Sequence, residues 1–174
     1  VWTLESGVGR VLFESKDRDR VTAVQYSPDG SRLLTTHYEE RACRIWNVAN
    51  GQCERTWREL RYLARSARWS PDGKRIVTGS ADGVARIWSV GDTSNPIIIS
   101  AHNEAIYSVA WNRDGDKILT GSGDKTAKIW NADGSGSPLV FSGHRNEVSS
   151  VAFSPDGSKI LTGSKDRLAR VFHV

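Results

Sequence analysis

The sequence predicts an all-β chain built from four copies of one unit. Three observations carry this: a repeat of about 42 residues, an apolar period of two inside it, and turn residues at fixed offsets. The copies open at Tyr26, Trp69, Trp111 and Phe153 and close on Trp46, Trp88, Trp130 and Phe172. A fixed period of this length means one supersecondary unit used repeatedly, each copy burying an apolar face against the next.

The elements follow in order. In the last copy Val148, Val151 and Phe153 form a first run, Ile160-Leu161 a second, and Leu168, Ala169, Val171 and Phe172 a third. Short runs bounded by turn residues read as strands. Ser154-Pro155-Asp156-Gly157 is a turn in which proline presets φ and glycine supplies positive φ. Ser27–Gly30 and Ser70–Gly73 repeat it, and Asn112–Gly115 keeps only the glycine. A second turn falls at Gly79–Asp82, Gly121–Asp124 and Gly163–Asp166, and a third at Asn50-Gly51, Gly91-Asp92 and Asp133-Gly134. After the third turn comes another short run: Cys53–Trp57, Ile97–Ile99 and Leu139–Phe141. Each unit is thus predicted as four antiparallel strands joined by tight hairpins. No stretch holds a helical period through this Gly, Pro and Asp punctuation, which excludes the helical repeat classes.

Phe141-Ser142-Gly143-His144, followed by Asp166 and a closing aromatic at 172, resembles the repeat of the WD-repeat β-propeller family, and the resemblance covers essentially the whole chain. The phrasing of Asn131–Ser137 and Asp124–Trp130 is similar to bacterial WD-repeat arrays. It implies four WD-type blades of four antiparallel strands, with repeats over 3–48, 49–90, 91–132 and 133–174. The chain departs from the family pattern in places. Asn47, Ser89, Asn131 and His173 replace the Asp of Trp-Asp, and Asp17 and Leu60 stand where His102 and His144 stand later. The first copy has one inserted residue in its Thr36–Glu40 turn, with Glu40 at the turn Asp position. The hydrogen-bond network of the family is therefore carried over only to the last two units.

That network is the relay the resemblance implies: Asp124, His102, Thr120 and Trp130 in the third unit, Asp166, His144 and Thr162 in the fourth. Hydroxyl, imidazole and carboxylate are also the parts of a hydrolytic triad. A mid-strand hydroxyl beneath a turn faces no substrate, and a buried imidazole needs partners on both nitrogens. The relay reads as structural and the chain as no enzyme. Phe172 has no N–H to give Thr162.

His37, His102, His144, His173, Cys43 and Cys53 show no metal-ligand spacing, and no phosphate loop is present, so no metal or cofactor is expected. A two-residue Asn50-Gly51 loop would set Val48 opposite Cys53 and leave Cys43 too far along for a disulfide. Free thiols and the absence of a basic-then-apolar leader in 1–19 point to a cytoplasmic setting. The longest apolar run, Ile97–Ile99, spans no membrane. The net charge is +4, from 24 Lys and Arg against 20 Asp and Glu. The basic run 55–68 with Trp57, Tyr62 and Trp69 suggests nucleic acid. Strand alternation instead places Trp57 and Trp69 in cores, and Asp17, Asp19, Asp29, Glu39 and Glu40 crowd the neighbouring unit, which disfavours it.

WD-repeat rings usually have seven or eight blades, so four form part of a ring, half of one if eight. Four closing alone would turn by about 90° per step instead of about 45–51°. The chain opens Val1-Trp2, in register with Ile45-Trp46, and is expected to be a segment of a larger propeller or half of a two-chain ring, with the strand near Arg10–Glu14 of one chain completing the last blade of another. In the family, three loop positions per blade reach partners. By alignment these are Arg18, Arg20 and Glu39; Arg61, Leu63 and Ala81; Asn103, Ala105 and Gly123; Arg145, Glu147 and Lys165. The expected function is a protein-interaction scaffold whose mildly basic rim takes acidic or phosphorylated protein or peptide segments. The alternative is self-assembly, as a homodimer that closes an eight-bladed ring.

Overall fold

The computed structural model describes residue 11 and residues 19–58, 62–92 and 94–174. Fifteen strands are defined among them, all paired antiparallel. The first blade holds β1 (Val21–Tyr26), β2 (Arg32–His37), β3 (Ala42–Asn47) and β4 (Cys53–Trp57) in that order. The second holds β5 (Ala64–Trp69), β6 (Arg75–Ser80), β7 (Val84–Ser89) and β8 (Ile97–Ser100). The third holds β9 (Ile106–Trp111), β10 (Lys117–Ser122), β11 (Ala127–Asn131) and β12 (Leu139–Phe141). The fourth holds β13 (Val148–Phe153), β14 (Lys159–Ser164) and β15 (Ala169–His173).

Among the described residues the last blade thus has three strands, against the four expected of each unit. In the other blades the outer strand comes from the segment after the closing aromatic. The Arg10–Glu14 segment expected to fill that place lies, apart from Val11, outside the described residues.

Local chemistry fixes the hairpins as predicted. Gly30, Gly73, Gly115 and Gly157 all have φ between 68° and 73°. The Ser27, Ser70 and Ser154 hydroxyls donate to the Asp two residues on, at 2.5–2.6 Å. That bond, first among several, holds the Asp29 and Asp156 carboxyls down at about 2. In the third blade Asn112 Oδ1 takes the serine's place, accepting from Lys117 N at 2.9 Å. The third turn is wider than expected: Asn47 N donates to Gln52 O, so Trp46, not Val48, faces Cys53. Cys43, opposite Trp57, is buried and Cys53 is exposed, and both are free.

The apolar cores lie between blades. Leu34, Cys43 and Ile45 of the first blade pack with Ala64, Ala67, Trp69 and Ile76 of the second. Val77, Ala85 and Ile87 pack with Ile106, Val109 and Ile118, and Leu119, Ala127 and Ile129 with Val148, Val151 and Ile160. Trp69 lies in the first of these cores and Trp57 packs against it, as the strand alternation indicated. The sheets do not close. Leu161 and Val171, paired across β14 and β15 at the positions of Leu34 and Ile45, are 48% and 60% exposed.

A glycine on the second strand lets neighbouring blades approach. A Cβ on Gly79 would fall 2.5 Å from Ile106 Cγ2 and 2.7 Å from Val109 Cγ1, and on Gly121, 2.7 and 2.9 Å from Val151 and Val148 Cγ1. Gly79→Ala is expected to lower stability by about 1–3 kcal/mol, since a packed core resists an added methyl. Urea unfolding of parent and variant measures this, and equal midpoints would show that the blades can move apart at no cost.

Candidate binding rim

The rim is held by the relays beneath it. In the third blade His102 Nδ1 lies 2.8 Å from Asp124 Oδ2 and Nε2 2.7 Å from Thr120 Oγ1, and Trp130 Nε1–H donates to Thr120 Oγ1 at 3.2 Å. The order of donors is consistent throughout: indole to hydroxyl, hydroxyl to imidazole, imidazole to carboxylate. In the fourth blade the His144–Asp166 and His144–Thr162 distances are both 2.8 Å. Phe172 packs on Phe141 there instead, ring centroids 5.4 Å apart. Thr120 and Thr162 are fully buried, so neither hydroxyl meets a substrate.

The first blade has a relay that the sequence did not reveal. His37 Nδ1 stands 2.8 Å from Asp19 Oδ2 and Nε2 2.9 Å from Thr35 Oγ1, and Trp46 Nε1–H donates to Thr35 at 2.8 Å. Imidazole and carboxylate have exchanged places: the loop supplies the acid and β2 supplies the histidine. Glu40, at the turn position where Asp is usual, pairs with Arg44 instead. Among the described residues the second blade keeps only the first link, Trp88 Nε1 to Thr78 Oγ1 at 3.1 Å, and its turn acid Asp82 pairs with Arg86 at 2.9 Å. Leu60 and Asp17 lie outside the described residues.

The relay acids also pin rim backbone. Asp19 Oδ1 accepts from Glu39 N at 2.8 Å and Asp166 Oδ2 from Arg145 N at 2.9 Å. Burial pushes the Asp19 carboxyl up, but the N–H groups of Glu39 and Glu40 and the His37 ring outweigh it and hold it below the ordinary range. Asp124 is held low in the same way, its burial outweighed by Thr126 and His102. Burial lowers both His37 and His102 despite their acid partners, so these rings are neutral.

On the rim itself, four backbone bonds join the loop before each first strand to the second turn: Tyr38 N to Arg20 O, Ala81 N to Leu63 O, Gly123 N to Ala105 O, and Lys165 N to Glu147 O, all 2.9–3.0 Å. The structure therefore brings the aligned pairs together, with one shift. Because of the inserted residue, Tyr38 occupies the place assigned to Glu39. Glu39 sits beside it, its carboxylate 3.4 Å from Arg20 Nε, while the Arg20 guanidinium lies 4.1 Å from the Tyr38 ring centroid. Lys165 pairs with Glu147, which raises the lysine and lowers the acid. Asn103 is exposed, and Arg145 is exposed with no ion pair among the described residues. Arg18 and Arg61 lie outside the described residues.

Sequence reasoning missed a second ring of rim residues. Each first strand carries a bulge between its first and third residues, at Thr22, Arg65, Tyr107 and Ser149. A bulge re-aims its extra side chain away from the ladder. Three blades meet this way at Tyr107: the Arg65 guanidinium lies 4.9 Å and Lys165 Nζ 5.4 Å from its ring centroid. The available signal was variation, since Thr, Arg, Tyr and Ser stand there between an aliphatic first position (Val21, Ala64, Ile106, Val148) and a small third one (Ala23, Ser66, Ser108, Ser150).

Four antiparallel sheets packed face to face in sequence order, with inter-blade cores, define a propeller-type repeat protein. Four segments, 10–47, 51–89, 94–131 and 136–173, match the WD domain, G-beta repeat family, and the chain belongs to the WD-repeat family. It is 33% identical over 86 residues to the periodic tryptophan protein 2 homolog of Caenorhabditis elegans, covering 49% of this chain and 9% of that one. It is 35% identical over 107 residues to protein tipD of Dictyostelium discoideum, covering 59% and 18%. It is 34% identical over 77 residues to WD repeat-containing protein 25 of Mus musculus, covering 42% and 14%. The chain thus spans less than a fifth of the length of these relatives. WD-repeat domains generally serve as non-enzymatic scaffolds that bind protein partners.

His144→Ala and His37→Ala are each expected to cost about 1–3 kcal/mol by stranding a buried hydroxyl and carboxylate. Thermal unfolding checks this, and an unchanged His37→Ala midpoint would remove the exchanged relay. A pH effect follows from the same rings. A folded-state pKa below about 6.5 means the unfolded chain binds more protons as pH falls. The stabilising contribution of His37 and His102 is therefore full above pH ~6.5 and declines as pH drops below it. A urea series across pH 7.5 to 5 measures the slope, which should shrink in His102→Gln.

Proposed function

We propose that this chain is a non-enzymatic protein-interaction scaffold whose rim takes acidic or phosphorylated segments of a protein partner. The observation that carries the reading is Tyr107, an aromatic ring flanked by Arg65 and Lys165 across three blades. An aromatic beside two cations offers a flat contact and a positive field at one point, and guanidinium grips carboxylate or phosphate with two hydrogen bonds. Arg145 adds a charge with no acid opposite it among the described residues, whereas Arg20 and Lys165 already have Glu39 and Glu147 as partners. Glu147 also faces Arg65 and Tyr107, so two cations share one acid there and Arg145 stands beside them without one. Arg18 and Arg61 extend the basic face by sequence. The two free thiols support a cytoplasmic setting.

The test uses two fluorescent peptides, an oligoglutamate and one carrying phosphoserine. Both are expected to bind, and to bind less tightly as salt rises. Arg65→Glu with Arg145→Glu should weaken binding at least tenfold while leaving the thermal midpoint near the parent's. Binding indifferent to ionic strength and to the double reversal would sink the reading.

A second reading is favoured by a separate observation. Both ends of the arc expose apolar blade faces, Val21 and Val24 at one, Leu161 and Val171 at the other. Self-assembly with another copy into a ring of eight blades would cover both.

A further inference from the structure

Neighbouring blades are matched by size, and two interfaces show one rule. At the second and third blades the glycine socket Gly79 receives the branched pair Ile106 and Val109. At the third and fourth, Gly121 receives Val148 and Val151. Each is sealed by a serine of the first strand: Ser66 Oγ accepts from Val109 N at 3.3 Å, and Ser108 Oγ from Val151 N at 3.2 Å. The first interface obeys the converse rule. Thr36 stands in the socket, the facing pair is Ala64 and Ala67, and Ala23 replaces the serine. The Thr22 hydroxyl fills the remaining space, 2.8 Å from Thr36 Oγ1 and 3.2 Å from the Ala64 carbonyl. A small socket goes with branched knobs, and a larger socket with alanines.

The two open ends of the arc carry the complementary halves of the first kind. Gly163 is the socket of the fourth blade, and a Cβ there would meet nothing closer than Ser150 Cβ at 3.7 Å. Ser150 occupies the place of Ser66 and Ser108 and is exposed. At the other end Val21 and Val24, 43% and 62% exposed, occupy the places of Ile106 and Val109. Val24 N is set where Val109 N and Val151 N are set when they donate to a serine. Leu161 and Val171 complete the receiving face as Leu119 and Ile129 do one blade earlier.

We infer that the fourth blade's open face is a docking site for the first blade of a second copy, with Val21 and Val24 entering the Gly163 socket and Val24 N–H donating to Ser150. The inference rests on the self-assembly reading above and adds the side chains that specify it. The occupant is a second copy because this chain itself presents the matching branched pair, and the new contact continues two interfaces already formed within it. Each copy has one socket end and one knob end, so two copies related by a two-fold axis satisfy both ends at once, with about 45° per blade.

The experiment is sedimentation velocity on the 174-residue chain, with circular dichroism to confirm folding. The parent should form a species of twice its 19.2 kDa mass. Gly163→Thr should weaken the dimer at least tenfold, and so should Val21→Ala with Val24→Ala. All these positions are exposed or unobstructed in the single chain, so the variants should fold. Combining the three substitutions sets a threonine socket against two alanines, as Thr36 stands against Ala64 and Ala67, with Ser149 and Ser150 in the places of Thr22 and Ala23, and should restore association relative to Gly163→Thr alone. A parent dimer untouched by Gly163→Thr overturns the inference and leaves self-assembly standing. A parent that stays at 19.2 kDa overturns both and assigns the faces to further blades of a longer chain. A ladder of higher multiples overturns the two-fold closure.

Discussion

Apolar burial in this chain happens between sheets and hardly at all within them. A sheet of three or four short strands has two faces, and neither is covered by anything in its own repeat. Leu34 and Ile45 are buried only because Ala64, Ala67 and Trp69 arrive from the next blade. Stability is then close to a sum of nearest-neighbour terms, as in other repeat proteins. The same constraint fixes the small residues. Glycine on the second strand is required by the closeness of the following sheet and not by backbone conformation, because Gly79 and Gly121 have no positive φ.

The relays solve a second problem, that of buried polar groups at the end of each sheet where apolar packing gives way to loops. What matters is the order of groups along the chain of hydrogen bonds: indole, hydroxyl, imidazole, carboxylate. The first blade shows that the carrier of each group is free to change. Asp19 from the loop and His37 from β2 reproduce the distances made elsewhere by a loop histidine and a turn aspartate. The exchange preserves every donor–acceptor match, which is why it can stand in a fully buried site where a missing partner is costly. In the fourth blade the aromatic loses its N–H, and packing of Phe172 on Phe141 takes over.

The fold was legible because period, turn residues and strand alternation all agreed. The third and fourth relays were legible because the spacing of His, Thr and Asp repeated in register. The first was not, since an exchange of His and Asp breaks the spacing while preserving the chemistry. His37 read as an unassigned histidine and Asp19 as one more surface acid. The rim was legible to within a residue. Its backbone pairs follow the repeat, but one inserted residue moved Tyr38 into the place given to Glu39. Arg65 and Tyr107 were invisible to alternation because they occupy bulges, where the period of two is interrupted.

The bulges separate what the chain needs for folding from what it offers for binding. On each first strand the neighbours on either side face the inter-blade core, as Ile106 and Ser108 do around Tyr107. In the second and third blades the bulged residue leaves that face for the rim, as Arg65 and Tyr107 do, whereas Thr22 turns its hydroxyl into the first interface. The backbone around each bulge is fixed by the bond between loop and turn, and in two blades by the relay acid as well. A side chain held on a rigid frame loses little freedom when a partner arrives, so its contacts convert more fully into affinity. Variation confined to such positions changes what the rim recognises while the interfaces between blades keep their size match. On the proposed readings, recognition is thus divided between two separate places: the rim for a partner, and the outer blade faces for a second copy.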